Sequence, residues 1–400
     1  MGIFDRFRRR SGPDRLAGEV RDALRAAGIP EVRYDRANFA IEYRRPGHRT
    51  ARMYLQNLYT ECEHDPDGRA DRIARFVATF ATLSDVPSTW AEARPLLRPV
   101  LRRATFARGG PGQPTVRRPA LPFLDELVVV DQPTSMAYVV DAMCNRWNVP
   151  AEEVFAAARS NLTARSDLDD RTDLPDGPAV LRFIDDGDAY WVSHLLLDGW
   201  LAQLAEHVGG RPVAFAPDAT GLLVVPDEPE RLGEVFELVR EEFTEAPRSL
   251  TPMAYTVDSA GRVLPYDAPA GHPLAVPVGR AERTLAAYEY AAQRMVLREE
   301  GVAEFAADCG LFAGADGTAF TVAAWAEGVA TLLPRTDYVG FMPNGEAPFY
   351  VPWPAVAEAD VISEAWEYRP VRYRAERWPS AGALGYLRER AVSLHLQPSG

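Results

Sequence analysis

The chain has 400 residues, a formal net charge of −13 and a pI of about 5.1. All 44 basic residues are arginine, so no lysine is available for a Schiff base, a phosphate-binding loop or a low-pKa general base. The acidic balance argues against nucleic-acid binding and against attraction to anionic membranes, because like charges repel. Two explanations for the absence of lysine stay open: a GC-rich coding bias and avoidance of lysine-directed modification.

Cysteine content and hydropathy predict a cytoplasmic protein. The sparse, odd set of cysteines contains no CxxC pair and indicates a reducing compartment rather than a disulfide framework. No apolar run reaches the length of a membrane-spanning helix, and no secretory signal core is present. The N-terminal leader carries Ile3, Phe4 and Phe7 among arginines and could touch a membrane surface, although such leaders are more often frayed tails.

Two segments rich in proline and glycine, 107–120 and 265–279, divide the chain into three blocks. The predicted domains are an N-terminal helix–meander–helix block at 1–106, a central α+β domain at 119–266 and a C-terminal helix–meander–helix domain at 279–400. The fold class that follows is α+β, with antiparallel sheets and helices packed on one face.

The first block opens with an amphipathic helix that ends at Gly28 and Pro30. Alternating apolar and polar residues then predict short strands. Two helices follow, of which the second is defined by Ile73, Phe76, Val77 and Phe80 on one face. The predicted strands of this block are 31–35, 38–44, 50–55 and 96–106.

The second block mixes strands and helices. The continuous apolar run Val128–Val130 predicts a strand that is buried on both faces. A helix with Pro150 in its first turn, a long helix at about 188–208 and an amphipathic helix at 229–245 are expected. The predicted strands are 122–131, 135–143, 179–184, 212–216, 221–225, 252–257 and 262–265.

The third block begins with a helix at about 280–299 and ends with one at 380–392. Between them, turn signals at Asp316–Gly317 and Glu327–Gly328 separate apolar runs. We expect an antiparallel meander with strands at 302–313, 318–326, 329–333 and 337–342.

The order of several segments resembles the DUF1444 family of uncharacterised bacterial proteins over roughly the first 265 residues. The segments are Tyr54–Tyr59, the Ile73/Phe76 helix, Leu97–Phe106, 122–143, Val149–Val154, Asn161–Leu162, Asp188–Tyr190, Leu195–Leu197, Val213–Val225 and Leu250–Asp258. The last block looks like an accessory domain of actinobacterial relatives. The resemblance implies a cytoplasmic, bacterial α+β protein and supplies no activity.

One turn departs from that family's pattern. The family tends to have Pro-x-x-Asp before the 221–225 strand, whereas this chain has Thr220 in the place of that aspartate. A role for the family's carboxylate therefore does not carry over to this turn.

The best candidate for a binding surface lies in the third block. Arg335 and Asp337 flank Thr336 at the start of a strand, and arginine and aromatic side chains are the usual hot spots of protein interfaces. The alternative is a local Arg335–Asp337 pair that fixes a turn. The predicted binding residues are Trp325, Arg335, Thr336, Asp337 and Tyr338.

No catalytic signature, metal site or cofactor motif is recognisable. Cys62 and His64 are the one tight Cys/His pair, and zinc usually needs two such pairs. The sequence therefore favours a non-enzymatic protein-binding or adaptor module, whose partner is another protein and not nucleic acid. The alternative is a carboxylate-dependent hydrolase that gathers two or more central-domain residues in one pocket. Those residues are Asp185, Asp186, Asp188, Asp218 and His194.

Overall fold

The computed structural model places helices beside several sheets that are mostly antiparallel, and the α+β class is confirmed. Within the described part of the chain, no helix has both the length and the apolar character needed to cross a membrane. The described residues are 12–36, 39–44, 51–64, 67–81, 86–106, 114–132, 135–165, 179–184, 190–302, 305–314, 317–394 and 397–398. The N-terminal leader lies outside them.

The N-terminal elements form a small layer of helices on an antiparallel sheet with strand order β1-β2-β3. Leu16, Val20 and Leu24 lie on one face of the first helix and are fully buried, as the spacing predicts. Gly28 takes a positive φ of 84°, which lets the chain leave that helix. The elements are α1 Gly12–Ala26, β1 Glu31–Asp35, β2 Ala40–Arg44, β3 Ala51–Tyr54, α2 Gln56–His64 and α3 Arg69–Ala81.

The first central sheet crosses the predicted division between the first two blocks. Its strand β4 pairs with β6 from Leu97 opposite Val130 to Arg103 opposite Leu124. Residues Val128–Val130 are fully buried, as expected for a strand covered on both faces. The elements are α4 Trp90–Ala93, β4 Leu97–Arg103, β5 Arg117–Leu121, β6 Leu124–Gln132, β7 Ser135–Tyr138, α5 Asp141–Trp147 and α6 Ala151–Thr163.

The second central sheet has the antiparallel order β12-β11-β9-β10-β8. Helix α9 presents Leu232, Phe236, Val239 and Phe243 to the core, where each buried side chain stabilises the fold by about 1.5–3 kcal/mol. The elements are β8 Leu181–Ile184, α7 Trp200–Gln203, α8 Ala205–Val208, β9 Pro212–Phe215, β10 Gly221–Pro226, α9 Pro229–Glu245, β11 Ala254–Val257 and β12 Val263–Pro265.

The prediction of one long helix at 188–208 is wrong. A 3₁₀ segment at Trp191–Leu196 is followed by the two short helices α7 and α8. Gly199 lies between the 3₁₀ segment and α7 with a left-handed φ of 82°, which breaks the helical path. Every residue of Trp191–Leu196 is buried, so apolar residues do not recur on one face as they do in an amphipathic helix. Without that periodicity, the sequence pattern cannot distinguish a regular helix from an irregular core segment.

The C-terminal elements form two sheets beside one long helix. The strand orders are β13-β16-β20-β19 and β18-β17-β15-β14-β21. The elements are α10 Ala275–Glu299, β13 Phe305–Ala306, β14 Gly310–Ala313, β15 Ala319–Ala326, β16 Thr331–Pro334, β17 Tyr338–Met342, β18 Phe349–Pro352, α11 Trp353–Glu358, β19 Ser363–Ala365, β20 Arg372–Ala375, α12 Ala381–Glu389 and β21 Gln397–Pro398.

The predicted meander of this block is also wrong. Strand β15 pairs in parallel with β17, starting with Val322 opposite Tyr338. Strand β16, which lies between them in the chain, crosses to the other sheet and pairs antiparallel with β20. Short apolar runs separated by turns look the same in a meander and in a crossover, so the sequence pattern could not separate the two.

A buried arginine joins α10 to the β13-β16-β20-β19 sheet. Arg372 is fully buried and donates Nε to Gln293 Oε1 (2.6 Å), Nη2 to Tyr290 O (3.0 Å) and Nη1 to both Ala307 O and Leu332 O (2.9 Å each). Burial lowers the pKa of this guanidinium to about 10. Because that value is well above neutral pH, the side chain is a buried cation surrounded by neutral oxygens.

Two buried carboxylates join the central and C-terminal elements. Glu289 of α10 accepts hydrogen bonds from the Thr105 backbone N (2.9 Å) and Oγ1 (3.0 Å). Asp125 of β6 accepts one from Arg369 Nε at 2.7 Å. Burial raises the pKa of both carboxyl groups in spite of these donors. Both are fully buried, so these contacts lie inside the molecule rather than on its surface.

We expect Arg372→Met to lower the free energy of unfolding by roughly 2–4 kcal/mol, because Gln293 Oε1 and Ala307 O lose this donor and each buried acceptor without one costs about 1–3 kcal/mol. Urea unfolding followed by tryptophan fluorescence measures the change. Arg377→Met, at an exposed position, is the matched control and should stay within about 0.5 kcal/mol of the parent. Equal losses in the two variants would contradict this role for Arg372.

Candidate functional site

The predicted binding motif lies where the chain passes from one C-terminal sheet to the other. Arg335, Thr336 and Asp337 connect β16 to β17. Thr336 is buried and its Oγ1 donates to Tyr338 O at 2.9 Å, which fixes the turn. The three residues therefore sit at a junction between sheets rather than along a strand.

Asp337 pairs with a distant arginine, not with Arg335. Its carboxylate accepts a bidentate pair from Arg283 of α10, with Nε and Nη2 each at 2.8 Å. It also accepts from the Thr321 backbone N (2.7 Å) and Oγ1 (2.8 Å). The expected local Arg335–Asp337 pair is therefore replaced by a long-range one. Because these hydrogen bonds engage both of its carboxylate oxygens, Asp337 has a structural role and is not available as a free acid.

The pKa of Asp337 is held below its ordinary value of 3.8. Burial acts in the opposite direction and is the largest single contribution. The hydrogen bonds from Arg283 and Thr321, together with the guanidinium charge, outweigh it. Asp337 is therefore ionised at neutral pH and anchors the start of β17 to α10.

A cleft of about 440 Å³ opens beside this pair. Phe123 from the β5–β6 turn, the α10 face at Ala286 and Trp353 with Pro354 at the start of α11 contribute its apolar lining. Arg335 lines it and is exposed, and no carboxylate among the described residues lies within ion-pair distance of its guanidinium. The lining also includes Glu282, an exposed carboxylate that forms no ion pair with the described residues. The cleft therefore combines aromatic walls with one unpaired arginine and one unpaired carboxylate.

Two of the predicted residues do not line the cleft. Trp325 is fully buried in the C-terminal core, where its ring packs against Phe341 (5.4 Å between centroids) and Trp378 (5.5 Å). Tyr338 packs edge-on against Phe320 at 5.8 Å. The structure thus brings Arg335, Thr336 and Asp337 together, and it places Trp325 in the core because a strand alternates between inward and outward positions.

The residues of the hydrolase alternative are only partly described. Asp185, Asp186 and Asp188 lie outside the described residues. His194 is fully buried, lies between the rings of Trp191 and Trp200, and its Nδ1 is 3.1 Å from Tyr190 O. It packs as a core side chain.

Asp218 closes the turn before β10. Its Oδ1 accepts from the backbone N of Gly221 (2.8 Å) and from Thr220 Oγ1 (2.8 Å). Thr220, which stands where the family would have an aspartate, therefore donates a hydrogen bond to Asp218. The turn is closed by Asp218 and needs no second carboxylate. This geometry gives Asp218 a turn-closing role.

The described residues hold no cluster of three or more histidine, cysteine, aspartate or glutamate side chains arranged to bind a metal. Cys62, Cys144 and Cys309 are free thiols in buried positions. Cys144 lies on the helix α5, which begins at Asp141, where the sequence predicted the end of the strand 135–143. Burial raises the pKa of all three thiols, that of Cys309 to about 12, so they are poor nucleophiles at neutral pH.

Comparison of the chain with models of protein families, with curated proteins and with solved structures gave no match. The resemblance to the DUF1444 family therefore stays a prediction.

The sequence did not point to the cleft's other residues. Arg283 is one of many arginines on a polar helix face, and Phe123 lies in a turn of the central block. Trp353 and Pro354 carry a local signal, since a proline in the first turn of a short helix marks its start. That signal predicts where α11 begins but not what it faces.

We expect Asp337→Asn to lower the free energy of unfolding at pH 7 by about 1.5–3 kcal/mol, because an amide cannot accept the charge-assisted pair from Arg283. Since the folded pKa of Asp337 lies below 3.8, its stabilisation is present above that pH and is lost as the pH falls through the lower folded value.

The difference between the parent and Asp337→Asn should therefore shrink as the pH is lowered below about 3.8 in urea unfolding. Asp360→Asn, at an exposed position, serves as the control and should change little at either pH. A difference that stays constant down to acidic pH would mean that the charge of Asp337 is not what stabilises the pair.

Proposed function

We propose that this chain is a non-enzymatic, cytoplasmic protein-binding module that holds a segment of a partner protein in the C-terminal cleft. The observation that carries this proposal is the exposed Arg335, which forms no ion pair with the described residues, at a cleft with aromatic walls. Arginine and aromatic side chains dominate the energetics of protein interfaces. The buried, free thiols agree with a reducing compartment.

The charges of the cleft define the partner segment. Arg283 and Asp337 form an ion pair with each other, so they contribute to the shape of the cleft and add little net charge to it. Arg335 is left to bind a carboxylate and Glu282 to bind a basic group, while Trp353 and Pro354 offer an apolar wall. The segment that fits is an extended peptide that carries an acidic and a basic side chain beside an apolar one.

The hydroxyl groups of the cleft support binding rather than catalysis. Thr321 Oγ1 donates to Asp337, Thr336 Oγ1 to Tyr338 O, and Tyr290 Oη to Val371 O. Burial raises the pKa of Tyr290 to about 12. Among the described lining residues, only the Thr321 hydroxyl lies beside a carboxylate, and Arg283 already holds both oxygens of that carboxylate, Asp337. The hydrolase alternative gains no support from His194 or Asp218, whose contacts are those of a core and a turn residue.

The test is affinity purification of the full-length protein from its native host, with Arg335→Glu compared with the parent. We expect a specific partner whose recovery falls about tenfold or more in Arg335→Glu, because a buried interfacial charge would be reversed. Arg377→Glu is the matched control, since Arg377 is exposed, lies outside the cleft and forms no ion pair with the described residues. No enriched partner, or equal recovery in both variants, would contradict the proposal.

A further inference from the structure

A second and larger cavity, of about 560 Å³, lies in the central part of the molecule and shares no residue with the cleft. Its walls come from β4, β7, the 3₁₀ segment and the loop after α9, and Ala292 of α10 also lines it. The volume lies within the range of small-molecule sites. The lining is mixed, with Val100, Leu101, Val192 and Leu250 beside polar groups.

One arginine of this cavity is held in place by neutral groups only. Arg102 donates Nε to Tyr138 Oη at 2.9 Å and Nη1 to Leu101 O at 2.7 Å. Its guanidinium carbon lies 5.7 Å from the centre of the Phe106 ring and 5.9 Å from that of Tyr138. In the described part of the chain, no carboxylate pairs with Arg102 and no acceptor occupies its Nη2.

The other two arginines of the lining are already neutralised. Arg103 lies 3.4 Å from the buried carboxylate of Glu289, and Arg248 donates to Glu61 at 2.9 Å. No aspartate or glutamate side chain is among the described lining residues. The cavity therefore carries one net positive charge, and that charge belongs to Arg102.

Tyr138 adds a second donor next to this charge. Its Oη accepts the hydrogen bond from Arg102, and its own O–H has no acceptor among the described residues. The Phe106 and Tyr138 rings pack on each other at 5.3 Å and fix the position of the guanidinium. A guanidinium N–H and a phenol O–H side by side match the two oxygens of a carboxylate.

We propose that this cavity binds a small amphipathic carboxylate, with the carboxylate on Arg102 and Tyr138 and the apolar body against Val100, Leu101, Val192 and Leu250. Charge complementarity favours a carboxylate head group, because the described lining contains Arg102 without a carboxylate partner and no acidic side chain. The apolar side chains select a chain or ring system rather than an inorganic anion. This site is independent of the partner-binding cleft.

The test measures binding of three probes of equal chain length to the full-length protein by isothermal titration calorimetry at pH 7. The probes are decanoate, decanol and decyltrimethylammonium. We expect decanoate to bind most tightly, with decanol about tenfold or more weaker, because it loses the charge-assisted hydrogen bonds, and with the cation weakest.

Variants then assign the binding to the cavity. Arg102→Gln should weaken decanoate about ten- to hundredfold and leave decanol nearly unchanged, whereas Arg102→Lys, which keeps the charge but not the planar donors, should bind decanoate more tightly than Arg102→Gln and less tightly than the parent. Ala219→Trp should fill the cavity and abolish binding of both probes, and it tests the site even if Arg102→Gln folds poorly.

Arg377→Gln is the control and should bind as the parent does. The proposal is overturned if decanoate does not bind, if it binds no better than decanol, or if the Arg102 and Ala219 variants bind it as the parent does.

Discussion

The buried guanidinium of Arg372 is the contact on which the C-terminal half of the molecule depends. It binds oxygens of α10, of Ala307 and of β16, so a helix, a strand and the residue that follows β13 share one donor group. Arginine suits this position because its planar donors point in several fixed directions and it keeps its charge when buried. Lysine has fewer donors and an ordinary pKa of only about 10.4, and burial would bring its titration closer to neutral pH.

Helix α10 transmits that anchoring to the rest of the protein. Glu289 ties it to Thr105 of the central part, while Arg283 ties it to Asp337 at the start of β17. The cleft exists where these contacts meet, between α10, the Phe123 turn and the start of α11. Its shape is therefore a consequence of contacts among three segments far apart in the chain, and a change in any one of them would alter the cleft.

Both cavities follow the same electrostatic principle. In each, one arginine of the lining forms no ion pair with a carboxylate among the described residues, while other arginines are paired. Arg335 is exposed at an open cleft, which suits a peptide, whereas Arg102 lies beside a pair of packed aromatic rings in a larger cavity, which suits a small amphipathic anion. In a chain without lysine, arginine provides every strong cationic contact, and its planar geometry favours carboxylates.

Local patterns in the sequence determined much of the secondary structure. The apolar stripe of 229–245 predicted α9, Gly28 ended α1, and the run Val128–Val130 predicted a strand covered on both faces. Only the tertiary structure decided the parallel pairing of β15 with β17, the breaks after residue 190 and the partner of Asp337, which is 54 residues away. The physical reason is that periodicity records which face of an element is buried, not what covers it. Forty-four arginines are equivalent along the sequence, and packing alone determines which are paired, which is buried and which remain available to a ligand.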